Sequence, residues 1–106
     1  MRRFASLRRP GDFARVRSRG RRIASADLTI FRSDAVRGDQ RALVGISVSK
    51  AVGGAVVRNR VRRRLGAAAH EVIAEGARFR AVIVARPSAL AAPFEQLRVQ
   101  IERGLA

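Results

Sequence analysis

The sequence predicts an α+β fold: a small mixed four-stranded sheet, a long basic helix joining two strands in a βαβ unit, and short N- and C-terminal helices. Three observations predict it. Residues 28–31 and 42–48 are β-rich segments separated by turn-forming residues. Helical periodicity then runs from Gly53 and Gly54 to Gly76. A continuous apolar run over residues 81–85 follows, as in a strand covered on both faces. The chain has 106 residues, 47% of them hydrophobic, which suits one domain over residues 1–106 with a real core.

Taken in order, residues 1–9 read as a mobile basic arm. Pro10, Gly11 and Asp12 form a turn, with Asp12 placed to cap a short helix over residues 13–19 that Gly20 closes. Phe13, Val16 and Arg17 share one face of it. A short strand around residues 22–24 precedes the first β-rich segment, and residues 34–40 read as a hairpin loop leading to the second. Alternation turns Val44, Ile46 and Val48 inward and leaves Gly45 and Ser47 on a shallow, open face where a strand of nucleic acid can lie. On the long helix, Val57, Val61, Leu65, Ala68 and Val72 collect in one apolar stripe. Asn59, Arg63 and His70 land opposite, flanked by Arg60 and Arg62, while Arg58 and Arg64 sit at the stripe's borders. Pro87 and Pro93 bracket a loop, and the last helix, from Phe94, packs through Phe94, Leu97, Val99, Ile101 and Leu105.

With 23 Lys+Arg against 8 Asp+Glu, the formal net charge is +15. Self-repulsion on that scale points to a polyanionic partner; nucleic acid fits best and an anionic membrane surface second. Lys50 is the single lysine. A GC-rich genome explains that arginine bias at least as well as arginine's forked bonding to phosphate does. The total charge, not the ratio, therefore carries the argument. Without cysteine there is neither a disulfide nor a thiolate metal site. The apolar runs are far too short for a membrane span, and residues 1–10 lack the apolar core of a secretory signal, so a cytoplasmic location is expected.

From Arg58 to Arg64, five of seven positions are arginine. Like charges at i, i+3 and i+4 cost an isolated helix about 0.2–0.5 kcal/mol per pair. The nearest acids along the helix, Glu71 and Glu75, lie roughly two turns or more further on. A field of phosphates offsets such repulsion; a solvated face with scattered counterions is the plainer alternative.

Ser47-Val48-Ser49-Lys50, Gly53-Gly54, Ala55-Val56, Arg58-Asn59-Arg60 and Arg62-Arg63 together resemble the RNR signature of the bacterial ribonuclease P protein family. Asp12-Phe13 with Val16, Val44-Gly45 and Ile83-Val84-Ala85-Arg86 extend the resemblance over most of the chain. It implies a fold like domain 2 of ribosomal protein S5, with a left-handed βαβ crossover against the usual rule. It also implies the protein subunit of a ribonucleoprotein endoribonuclease. In that enzyme ribonuclease P RNA performs the chemistry with Mg²⁺ bound mainly by the RNA, removing the 5′ leader of precursor tRNA, with one protein per RNA. The ribozyme-binding residues carried over are Arg58, Asn59, Arg60, Arg62 and Arg63, with Arg64 beside them. The leader-binding cleft, between the sheet and the first helix, takes Phe13, Arg17, Phe31, Ser47 and Lys50. Phe13 and Phe31 can stack on unpaired bases and Lys50 can meet phosphate, although ordinary core is an equally good reading of each Phe. Arg17 stands where the family often has an aromatic, Gly66 where it often has another basic residue, and Gly54 in place of a common Asn.

No catalytic residue and no metal ligand set is expected in the polypeptide itself. The acids are scattered, and His70 and Glu71 point to different helix faces, which suits His70 to a surface or RNA-contact role. The chief rival function is a structural RNA-binding protein such as a ribosomal protein; a membrane-active basic peptide is a second.

Overall fold

Residues 2–106 are described by the computed structural model, in which five strands build one sheet. The elements are β1 (Phe4–Ser6), α1 (Pro10–Arg19), β2 (Arg21–Ala24), β3 (Leu28–Asp34), β4 (Ala42–Val48), α2 (Ala55–Val72), β5 (Phe79–Ala85) and α3 (Phe94–Leu105), with a single 3₁₀ turn over Pro87–Leu90. The sheet order is β1-β4-β5-β3-β2. The strand with the longest apolar run takes the centre: Ala81, Val82 and Ile83 are fully buried, as expected where both faces and both edges are covered. β4 and β5 pair in parallel and are joined through α2, which is the βαβ unit. β3 runs antiparallel to β5, so the sheet is mixed.

Alternation sorts the side chains onto two faces. Leu28, Ile30, Val44, Val48, Ala81 and Ile83 face the main core, where Val61, Leu65 and Ala68 of α2 and Leu97 and Ile101 of α3 meet them. The expected stripe on α2 is thus the buried one, though Val57 and Val72 at its ends are only partly covered. The other face carries a small cluster of Leu7, Val16 and Val82, against which Phe13, Phe31, Leu43 and Val84 pack. Asp27 latches α3 to the sheet. Its carboxylate accepts from Gln96 (2.6 Å) and Gln100 (2.7 Å), and its N–H donates to Gln100 Oε1 (2.9 Å). Burial pushes that carboxyl up, but the hydrogen bonds, led by Gln100, outweigh it and hold it below the usual range.

Four expectations need correction. The sheet has five strands, not four, because residues 4–6 of the supposed mobile arm pair in parallel with β4. Phe4 enters the main core and Leu7 the small cluster, so apolar burial anchors a segment whose charge suggested solvent. Residues 34–40 do not close a hairpin: β5 inserts between β3 and β4, pairing with both. α1 starts at Pro10, not after Asp12. Proline suits the first helical turn, where its missing N–H is not needed. The Arg9 carbonyl receives the Asp12 and Phe13 N–H groups at 3.0 and 3.2 Å, and the Asp12 side chain makes no cap. Finally, α2 ends at Val72 rather than Gly76, since Ile73 turns into the core at 2% exposure.

Candidate nucleic-acid interface

α2 begins at Ala55, with Gly54 as a cap that offers no side chain and no acid in the first turn. The partial positive charge of the helix N-terminus is therefore left to attract anions. Along its outer side Asn59, Arg60, Arg62 and Arg63 are exposed, as the winding of the sequence predicts. Asn59 Oδ1 accepts from Arg62 Nη1 at 3.1 Å, which steers that guanidinium along the helix. Among the described residues, the ion pairs join Arg80 to Asp12 and Asp39, and Arg98 to Glu95 and Glu102; none reaches the ridge. The like charges on α2 are thus left without a carboxylate partner among the described residues.

The two border arginines differ. Arg58 is half-buried, and its Nε is covered without a hydrogen-bond partner. Arg64 is spent inside the fold: Nη2 donates to the Ala92 carbonyl at 2.6 Å and Nη1 to the Ala89 carbonyl at 3.5 Å. It fastens the segment after β5 to α2, a role that the basic run alone does not reveal.

The second sheet face forms a cleft with α1 as one wall. Phe13 rests on Gly45, the one position of β4 without a side chain. Arg17 holds its guanidinium carbon 5.6 Å from the Phe31 ring centroid. Cross-strand pairing sets Arg22 beside Phe31, and Ser47 opposite Val84, on the same face. Phe13, Phe31 and Ser47 are half-buried, whereas Lys50, in the turn after β4, is exposed. Both phenylalanines therefore pack and still present part of a ring. The expected cleft residues come together except Lys50, which lies in the turn after β4 and outside the packed cluster. The face is less open than expected at Gly45, because Phe13 covers it.

Arg80 pins this arrangement. From β5 it donates to Asp39 Oδ2 (2.9 Å) and Oδ1 (3.0 Å) and meets Asp12 Oδ1 of α1 at 3.2 Å. Hydrogen bonding from Arg80 holds the Asp39 carboxyl below its ordinary range despite burial. His70 also has a structural contact, its Nδ1 accepting the Arg3 N–H at 3.1 Å. Sequence reasoning missed Arg22 and Arg80, which are marked only by strand alternation.

Among the described residues no group of three or more His, Cys, Asp or Glu is placed to hold a metal ion. The carboxylates of Asp12, Asp27 and Asp39 are committed to Arg80 or to glutamine amides. These side chains do not fit a magnesium site. A cavity of about 800 Å³ between β2 and α3, lined by Ile23, Pro93 and Val99, shares no residue with ridge or cleft. No helix among the described residues is long and apolar enough to cross a membrane.

The chain is 42% identical over 101 residues to the ribonuclease P protein component of Acidothermus cellulolyticus, covering 92% of this chain and 82% of that one. It is 42% identical over 103 residues to the same component of Chloroflexus aurantiacus, covering 95% of this chain and 75% of the relative. Its fold matches the Staphylococcus aureus RNase P protein with a TM-score of 0.76 at 23% identity, over 93% of this chain and 90% of that one. The Thermotoga maritima RNase P protein matches at 0.74 and 21% identity, over 92% and 96% of the two chains. A family model, Ribonuclease P, matches residues 1–106. With an unpaired arginine ridge beside a cleft, on this fold and with these relatives, the chain belongs to the ribonuclease P protein family.

Proposed function

We propose that this chain acts as the non-catalytic subunit of ribonuclease P, gripping the ribozyme through α2 and the 5′ leader of precursor tRNA through the cleft. The observation that carries this reading is the row Asn59, Arg60, Arg62 and Arg63, exposed and without a carboxylate partner among the described residues. Arg58 flanks the row, and Arg64 supports it from within the fold. Phe13, Arg17, Phe31, Ser47 and Lys50 serve the leader, with aromatic faces that take any base and cations that take phosphate. Mg²⁺ belongs mainly to the RNA; on the polypeptide the carboxylates of Asp12, Asp27 and Asp39 are already taken by Arg80 or glutamine amides. The chain neutralises phosphate and positions substrate, one protein per RNA, in the cytoplasm.

The test is cleavage of precursor tRNA by the cognate ribozyme RNA at low Mg²⁺, with the protein titrated in. Turnover should rise to a plateau at one equivalent. A flat response, together with tight binding to ribosomal RNA, would instead mark a structural RNA-binding protein.

A further inference from the structure

Gly66 interrupts the basic character of α2, and another part of the chain fills the gap. The Arg2 guanidinium lies against Gly66: a Cβ built there would overlap Nη1 and stand 3.0 Å from Cζ and 3.1 Å from Nη2. Two more contacts hold Arg2 in place. Its Cζ is 5.6 Å from the centroid of the Phe4 ring, a cation–π distance, and Arg41 donates to its backbone carbonyl. The adjoining Arg3 is fastened to the end of α2, through its N–H to His70 Nδ1 (3.1 Å) and its Nη1 to the Ile73 carbonyl (3.2 Å). β1 thus brings to the helix surface a cation that the helix's own sequence lacks at that point. Arg2 is still exposed, so these contacts do not use it up.

What Arg2 borders gives it a use. A cavity of about 280 Å³ opens between β1, β4, α1 and α2, lined by Arg2, Arg62 and Arg63 together with Phe4, Phe13 and Gly45. Three arginines line it, and none of them has a carboxylate partner among the described residues. Neighbouring cations without counterions repel one another, and an anion with several acceptor oxygens relieves that repulsion while taking forked hydrogen bonds. The cavity joins the two surfaces already described, with Arg62 and Arg63 from the ridge and Phe13 and Gly45 from the cleft.

We propose that Arg2, seated in the slot left by Gly66, completes with Arg62 and Arg63 a binding site for an RNA phosphodiester where the ridge meets the cleft. The site rests on the ribozyme-binding reading of α2. Its phosphate comes either from the ribozyme backbone or from the leader of the precursor.

The experiment uses the full chain as wild type, Arg2→Ala, Gly66→Ala, the double variant, and Arg60→Ala as a ridge control. Affinity for ribozyme RNA is measured across a potassium chloride series, and affinity of preformed holoenzyme for leader-bearing precursor and mature tRNA is measured alongside. Gly66→Ala displaces only the end of a flexible side chain and installs the better helix former, so melting by circular dichroism should show the fold retained. Arg2→Ala and Gly66→Ala should each weaken binding about three- to tenfold and flatten the salt slope by roughly one ion. The double variant should lose no more than either single one, because both remove the same contact. Loss on ribozyme RNA assigns the phosphate to the ribozyme; loss confined to leader-bearing precursor assigns it to the leader. Wild-type affinity and slope for Arg2→Ala on both RNAs, with Arg60→Ala weakened, overturns the site and leaves the ridge standing. Full affinity in Gly66→Ala alongside a loss in Arg2→Ala refutes the slot. If Arg60→Ala is also without effect, the ribozyme-binding reading fails and takes the site with it.

Discussion

The ring of Phe13 occupies the space that a side chain at position 45 would need: a Cβ on Gly45 would stand 2.6 Å from ring Cε1 and 3.1 Å from Cε2. α1 therefore docks onto the sheet through a missing methyl group, and the cleft's width is set there. Gly45→Ala should cost about 1–3 kcal/mol by overpacking, read as a lower urea midpoint with an unchanged slope. The cost should shrink when Phe13→Leu is added, because the two residues share one contact. Equal costs in both backgrounds would separate Gly45 from the docking of α1.

Arg80 makes a second, testable joint. Its side chain is 12% exposed and that of Asp39 9%, so the pair is well shielded from solvent. The folded-state pKa of Asp39 lies below its unfolded value, chiefly because Arg80 hydrogen-bonds the carboxylate. The stability it contributes is therefore complete above the unfolded value of about 4 and is lost as pH falls through the folded one. Asp39→Asn should be less stable than wild type at pH 7 by about 3 kcal/mol. That gap should close as the pH is taken below about 4 in a series of urea titrations. A gap that is constant down to acid pH would assign the loss to shape rather than charge.

Some of this was legible in the sequence and some was not, for physical reasons. The apolar run at Ala81, Val82 and Ile83 is what a strand covered on both faces needs, and it forms the central one. Winding α2 placed Val61 and Leu65 inward, Arg60 and Arg63 outward, and Arg58 and Arg64 at the border. Local pattern could not show partners distant in sequence. Phe4 and Leu7 are two apolar residues in a basic segment, and nothing nearby says that β4 has an edge for them. The pairing of β3 with β5 rather than β4 depends on a strand that arrives only after the long helix. The same holds at the interface. Charge identified the ridge, but only tertiary contacts show that Arg64 is spent on the carbonyls of Ala89 and Ala92.

That contrast within α2 can be measured. Arg60→Ala should reduce ribozyme affinity and lower the salt slope by roughly one released ion, with little change in melting. Arg64→Ala should do the reverse. Its partners, the Ala89 and Ala92 carbonyls, lose a charged donor, so stability should drop by about 1.5–3 kcal/mol while the salt slope holds. A stable Arg64→Ala with a shallower slope would return Arg64 to the RNA surface.

Phe31 offers the sharpest separation of packing from binding. Its ring is half-buried, packed with the cluster around Val16 and Val82 and overlain by the Arg17 guanidinium at 5.6 Å from the centroid. On the proposed leader reading, a base entering the cleft would meet a cation held over a ring, and contact would combine stacking with phosphate attraction. Phe31→Ala should weaken binding of leader-bearing precursor to the holoenzyme by about 1–3 kcal/mol and leave mature tRNA binding unchanged. Arg17→Ala should show a smaller loss with the same selectivity and a shallower dependence on salt concentration, since it removes the charge and keeps the ring. Because Phe31 also packs, its variant will melt earlier; the selectivity between the two RNAs, unlike the melting point, cannot arise from lost packing. Equal weakening for precursor and mature tRNA would make Phe31 a core residue and move the leader elsewhere on the sheet.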